Sequence, residues 1–268
     1  MGKGTARGIR PVKRWGQHFL KDRSVARRIV KSLNIRSGEC ILEIGSGRGV
    51  LTEFLLESPA EKIIGVEIDR RLTPGLKVRF GEDGRFELIE GDFLQLDLNA
   101  MFEKEKRVRV VGNLPYSVTS PILFMLLDHR SMIDDATVTV QKEVGERILS
   151  LPGSKTYGIP SVLFQLHSRV ERLFPISRRA FIPVPEVESL VIRIGFLERP
   201  LFNVVDADFF CGFIKTIFGQ RRKMLRNTLK HVVHEEADLG KVTFDLRRRP
   251  EELSVEELVR LSNEMVSL

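Results

Sequence analysis

Glu43-Ile-Gly45-Ser-Gly47-Arg-Gly49 constrains this chain more than any other stretch. It closes a short apolar run, Glu39–Ile44, and gives way at Val50–Leu56 to apolar residues at helical spacing. A strand that enters a glycine loop and leaves into a helix opens a βα unit. Glycines there let the backbone adopt positive φ and approach a ligand closely. A helical stripe precedes the loop at Ser24–Leu33 and ends by Gly38. Further strands are predicted at Lys62–Glu67, Arg85–Glu90, Arg107–Val111 and Ala136–Gln141. Helices are predicted at Leu72–Phe80, Pro121–Leu127 and near Lys142–Ser150. Such alternation makes a mostly parallel sheet with right-handed crossovers. Arg169–Leu173 and Ser189–Phe196 read as an antiparallel pair at its edge. Beyond Pro200 the texture changes to helices alone, at Asp206–Phe218, Arg222–Val233 and Ser254–Met265. The last opens on a capping box, Ser254 with Glu257. The expected division is an α/β domain over 1–199 and an all-helical domain over 200–268.

In a doubly wound sheet, ligands bind outside the carboxyl ends of the strands. Three segments converge there. Glu67 ends the second strand, eighteen residues after Gly49, where a ribose diol would be gripped. The loop spacing is G-x-G-x-G, with Val50 where a dinucleotide fingerprint has its third glycine, which favours an adenosine ligand without a pyrophosphate. A tight βα turn with no ligand is the bland alternative, disfavoured once Glu67 is counted. Gly91-Asp92-Phe93 follows the third strand: Asp92 can accept from an exocyclic adenine amine and Phe93 can lie against the base. Alone, Gly-Asp is only a turn. Asn113-Leu114-Pro115-Tyr116 follows the fourth strand. Asn113 offers an amide acceptor, Pro115 stiffens the loop and leaves a backbone carbonyl free, and Tyr116 presents an aromatic face. These suit an amino group on a planar base.

Charge placement adds a partner class. Residues 1–31 hold ten Lys/Arg and one acid, Asp22. Phe209–His234 hold six Lys/Arg and no acid, so the rest of the chain is net acidic although the whole carries +7. Two basic segments, one with a single acid and one with none, favour contact with a phosphate backbone over simple solvation. Two cysteines, Cys40 and Cys211, exclude a disulfide scaffold and a cysteine zinc site. Both sit among apolar residues and are expected in the core. His231 and His234 have no acidic or cysteine partner nearby, so no metal is expected. Trp15 suits stacking on RNA or anchoring the basic arm equally. No apolar run approaches a membrane span, and the N-terminus lacks the apolar core of a secretory signal.

In these segments the chain resembles the small-subunit rRNA adenine N6,N6-dimethyltransferases, enzymes that use S-adenosylmethionine (SAM). The likeness runs over nearly the whole chain. It covers Gly16-Gln-His-Phe-Leu20, Leu42–Gly49, Val66–Asp69, Gly91–Phe93, Asn113–Tyr116 and Gln141–Val144. It continues through Tyr157-Gly158, Phe181–Pro185 with Val187 and Ser189, Gln220–Asn227 and Arg249–Glu257. The resemblance implies a Rossmann-like methyltransferase sheet and a C-terminal rRNA-binding domain. It implies that His18, Leu20, Gly45, Glu67, Asp92 and Asn113 contact SAM, with Gln17, Gly47, Ile68 and Phe93 in the same matched segments. Asn113, Leu114, Pro115 and Tyr116 would handle the target base, and Phe181 would stack on its other face. Arg221, Arg222, Lys223 and Arg226 would bind rRNA. The substrate implied is two adjacent adenosines near the 3′ end of small-subunit rRNA, within a partly assembled particle. A cytoplasmic monomer is expected, with SAM as methyl donor. The chemistry calls for no general base, because the sulfonium is already activated and holding donor and acceptor in line is the main work.

Two rivals belong beside this reading. A large-subunit rRNA adenine methyltransferase of the macrolide-resistance type shares the fold and Asn-x-Pro-Tyr, but Leu114 and the Gln220–Asn227 pattern favour the small-subunit family. A non-catalytic RNA-binding assembly or transcription factor on the same fold would be expected to lose Glu67, Asp92 or Asn113, and all three are present. A mitochondrial homologue is a further alternative, since the arm is basic and acid-poor, but the fifteen residues before Gly16 are short for a transit peptide.

Overall fold

The computed structural model describes residues 16–102, 107–232 and 242–266. The first fifteen residues of the basic arm, with Trp15, lie outside the described residues, as do Val233 and His234. The elements in chain order are β1 (Phe19–Leu20), α1 (Arg23–Leu33), β2 (Cys40–Ile44), α2 (Val50–Leu56), β3 (Lys62–Glu67), α3 (Thr73–Phe80) and β4 (Phe86–Glu90). Then come α4 (Leu98–Met101), β5 (Val108–Asn113), α5 (Thr119–Asp128), β6 (Ile133–Gln141), α6 (Lys142–Ile148) and α7 (Ile159–His167). They are followed by β7 (Ser168–Ile176), β8 (Phe181–Ile182), β9 (Ser189–Phe196), α8 (Ala207–Gly219), α9 (Leu225–Thr228) and α10 (Val255–Val266).

The main sheet has the order β4-β3-β2-β5-β6-β9-β7. Strands β2 to β6 run parallel, and β9 joins β6 antiparallel, so the antiparallel edge expected from the sequence is present. The parallel strands are near-continuous apolar runs because helices cover both faces of such sheets; Ile41, Leu42, Ile63, Val110 and Val138 are buried. Register aligns their carboxyl ends. Ile44 pairs with Val66 and Gly112, Glu67 with Glu90, and Asn113 with Thr139. The glycine loop, Glu67, Asp92 and Asn113 therefore emerge along one edge.

Helix α1 begins where Asp22 accepts from the Ser24 and Val25 amides and ends at Asn34, which takes the left-handed conformation. Its stripe of Ala26, Ile29, Val30 and Leu33 packs in the core with Ile41, Leu55 and Ile63. The buried Arg109 is paired with Asp135 at 2.6 Å and Glu39 at 3.0 Å and donates to the Leu33 carbonyl. A two-stranded ladder, β1 with β8, sets Leu20 opposite Phe181. The Lys21 and Asp22 amides extend it by donating to the Ala180 carbonyl.

The chain divides into two compact units. One comprises residues to Gly145 and Glu171–Phe196; the other comprises Glu146–Val170 and Leu197 onward. The expected boundary at residue 200 lies close to Leu197, but Glu146–Val170 also groups with the helical unit. Helix α7, in that segment, packs on α8 and α10. Asp206 caps α8 through the Phe209 amide, and Ser254 and Glu257 form the expected capping box. The helix expected over Arg222–Val233 is broken. Gln220–Lys223 turn, Met224 is extended at ψ 148°, and only Leu225–Thr228 are α-helical before a 3₁₀ turn at Leu229–His231. The amides of Leu225 and Arg226 donate to the carbonyls of Arg248 and Leu246, which replaces the helical bonds they would make one turn back.

Candidate active site

The glycine loop is shaped by its own sterics. Gly45, Gly47 and Gly49 all have positive φ, at 74°, 57° and 73°. At Gly49 a Cβ would lie 2.4 Å from the Phe80 ring and 2.9 Å from Leu76 Cδ2, so α2 starts against α3 only because that side chain is missing. The Gly47 amide donates to Glu67 Oε2 at 2.6 Å, and the Asp69 amide to Glu67 Oε1 at 2.8 Å. Glu67 is thereby held at the end of β3, almost wholly buried. Burial raises its pKa, opposed by the amides of Asp69, Gly47 and Ile68.

Beside Glu67 opens a cavity of about 170 Å³ lined by Gly45, Ile68, Asp92, Phe93 and Pro115, among others. Ile68 is an apolar side chain with over a third of its surface exposed, facing this space, while Phe93 is buried beneath it. Asp92 spends Oδ1 on the Leu94 amide. A smaller cavity of about 30 Å³ lies on the other side of Gly45, lined by Leu20, Glu43, Gly47 and Asn113. Glu43 is fully buried there; Ser46 and Thr52 both donate to its Oε2, and burial pushes its pKa up to about 7.

Asn113 is fixed by its own amide. Its Nδ2 donates to the His18 carbonyl at 2.8 Å, which settles the flip and leaves Oδ1 buried with no partner among the described residues. A buried acceptor without a donor is costly unless a ligand supplies one. The Leu114 amide donates to the Thr139 carbonyl, and the Pro115 carbonyl accepts from Val118 and Thr119. Tyr116 is half-buried; its hydroxyl is 2.6 Å from Ser189 Oγ, and burial raises its pKa, so the phenol stays neutral near pH 7. The His18 imidazole packs on the Tyr116 ring with centroids 5.0 Å apart, and its Nδ1 lies 2.9 Å from the Pro183 carbonyl.

Two expected roles change. Phe181 is fully buried in the core cluster with Leu20 and Ala180, its place set by the β1–β8 ladder, so no face of its ring is open to a base. Arg221 donates to the Tyr157 carbonyl and lies 3.5 Å from Glu251, both within the helical unit, which makes it a structural residue there. Arg222, Lys223 and Arg226 are exposed. Gln17 reaches Asp69 at 3.4 Å, and Asp69 also holds Arg71 at 2.6 Å. Cys40 is buried as expected, whereas Cys211 is only partly so. Sequence reasoning passed over Glu43 and Ser189 as site residues, although both lie in the quoted segments.

A model of the ribosomal RNA adenine dimethylase family matches residues 10–266. The chain belongs to that family. The ribosomal RNA small subunit methyltransferase A of Pseudomonas aeruginosa is 41% identical, covering 97% of this chain and 96% of its own. The protein of the same name from Syntrophus aciditrophicus is also 41% identical, over 96% and 95%. A crystal structure of a dimethyladenosine transferase from Plasmodium falciparum superposes with TM-score 0.79 at 25% identity, over 93% of this chain and 98% of that one. The 23S rRNA methyltransferase ErmE shares the fold, with TM-score 0.70. As a dimethylase the protein transfers methyl groups from SAM to rRNA adenine, and its residues fit that donor. Carboxylates stand at the ends of β3 and β4, apolar Ile68 and Phe93 line the space between, and the Asn113 acceptor is unsatisfied. No helix among the described residues is long and apolar enough to cross a membrane.

Proposed function

We propose that the protein dimethylates the N6 amines of two adjacent adenosines near the 3′ end of small-subunit rRNA, in a partly assembled particle. The unpartnered Asn113 Oδ1 carries this reading. An amide locked through Nδ2, with its acceptor buried at the strand edge, is built to receive an N–H bond. Glu67 would take the ribose hydroxyls of SAM, Asp92 its adenine amine through the free Oδ2, and Ile68 and Phe93 the faces of that adenine. SAM supplies a sulfonium-activated methyl. Adenine N6 is a poor nucleophile because its lone pair is delocalised into the ring. Asn113 Oδ1 and the Leu114 carbonyl accept its two N–H bonds, which favours a pyramidal nitrogen and aims the lone pair at the methyl. Tyr116 lies against the target base and its electron-rich face stabilises the developing cation. The extra proton passes to water after transfer. Arg222, Lys223 and Arg226 in the helical unit bind rRNA phosphates.

The small-subunit assignment is supported by the names of the bacterial relatives. Its test is incubation with methyl-labelled SAM and unmethylated small or large subunits. N6,N6-dimethyladenosine should appear in small-subunit rRNA alone; label in large-subunit rRNA would overturn the assignment.

A further inference from the structure

The Tyr116 hydroxyl and Ser189 Oγ are 2.6 Å apart, and the bond joins two halves of the sheet. Tyr116 stands in the loop after β5, in the parallel half. Ser189 is the first residue of β9, fully buried, and pairs with Gln141 at the end of β6. A tyrosine in a loop has two soft side-chain torsions. Here the far end of the ring is tethered by Ser189, and one side is filled by His18 at 5.0 Å with 32° between the planes. His18 is itself held twice, by the Pro183 carbonyl at Nδ1 and by Asn113 at its own carbonyl.

Resting on the proposed role of Tyr116 against the target base, we infer that Ser189 is a positioning residue for methyl transfer. By holding the Tyr116 hydroxyl it sets the plane of the ring, and so the angle at which the adenine amine meets the methyl donor. Transfer in line is sensitive to small misplacements of the acceptor. Ser189 lines neither the cavity beside Glu67 nor that beside Glu43, so its hydroxyl contributes to turnover and not to holding SAM. The hydroxyl could instead serve only to satisfy a buried phenol, in which case breaking the bond would change stability and leave the rate alone.

The test compares S189A, Y116F, the double variant and Y116A on unmethylated small-subunit particles, with SAM affinity measured by calorimetry. S189A and Y116F each remove the same bond, from opposite sides, so a folding defect in one leaves the other informative. Each should lower kcat about three- to tenfold, with KM for particles and SAM affinity unchanged. The double variant should be no slower than either single one, because both delete one interaction. Wild-type turnover in both single variants, or a double variant whose loss is the product of the two, would overturn the positioning role. Loss of turnover in Y116A alone would leave the stacking reading standing without it. Wild-type turnover in Y116A would remove the stacking reading and this inference together.

Discussion

Glu43 gives the protein a pH-dependent stability of predictable sign. Its carboxyl is fully buried, and desolvation raises its pKa from 4.5 to about 7, against the donation from Thr52 and Ser46. The folded state thus binds the proton more tightly than the unfolded chain. Stability from this group is complete below about pH 4.5, and is lost as pH rises towards 7. The interval is about 2.5 pH units at ~1.4 kcal/mol each, so the charged form costs roughly 3 kcal/mol by pH 8. Glu43→Gln removes the titration and keeps a carbonyl for the two hydroxyls. The buried amide it adds carries a penalty that does not vary with pH, so it cancels in the comparison. Urea denaturation followed by circular dichroism from pH 4.5 to 8 measures the difference. The stability of the Gln variant relative to wild type should rise by roughly 3 kcal/mol across that range and level off above it. Parallel curves would mean that Glu43 is ionised throughout, with a cation or water compensating its burial.

Glu67→Ala removes charge-assisted bonds worth about 1.5–3 kcal/mol each and should weaken SAM binding at least tenfold by calorimetry, with the fold retained. Gly49→Ala brings a Cβ to 2.4 Å from Phe80 at a φ of 73°, so thermal melting should show a loss of about 2–4 kcal/mol. The pair Arg222→Ala/Arg226→Ala should make the salt dependence of particle binding shallower by roughly 1–2 log units per log unit of salt, with SAM affinity unchanged. Arg221→Ala, losing its bond to the Tyr157 carbonyl, should instead lower the stability of the helical unit in a denaturant titration.

The parts of the fold legible in the sequence are those whose signal is local. The glycine loop, the acid ending β3 and the capping box at Ser254 each declare themselves within a few residues. Helix α7 does not. Ser161, Val162, Leu163, Phe164 and Leu166 are all buried, so no polar face marks the period. The two-residue strands β1 and β8 are too short to show alternation, and each exists only through the other. The break at Met224 comes from carbonyls of Leu246 and Arg248, some twenty residues on, which no window around the basic run contains. The same holds within the site. That Glu67, Asp92 and Asn113 come together along one edge was legible because strand ends in a parallel sheet converge. The burial of Phe181 and the commitment of Arg221 depend on neighbours distant in the chain.

The β1–β8 ladder also sets a clock on the enzyme's own birth. The wall of the site at His18 and Leu20 is held by Ala180, Phe181 and Pro183, about 160 residues downstream. At roughly 5–20 residues per second, synthesis separates the two segments by about 8–30 s. The glycine loop and the strands around it leave the ribosome well before the residues that close them in. A nascent chain halted before residue 180, with about a third of the sequence still to come, carries the glycine loop but lacks the segment with which β1 pairs.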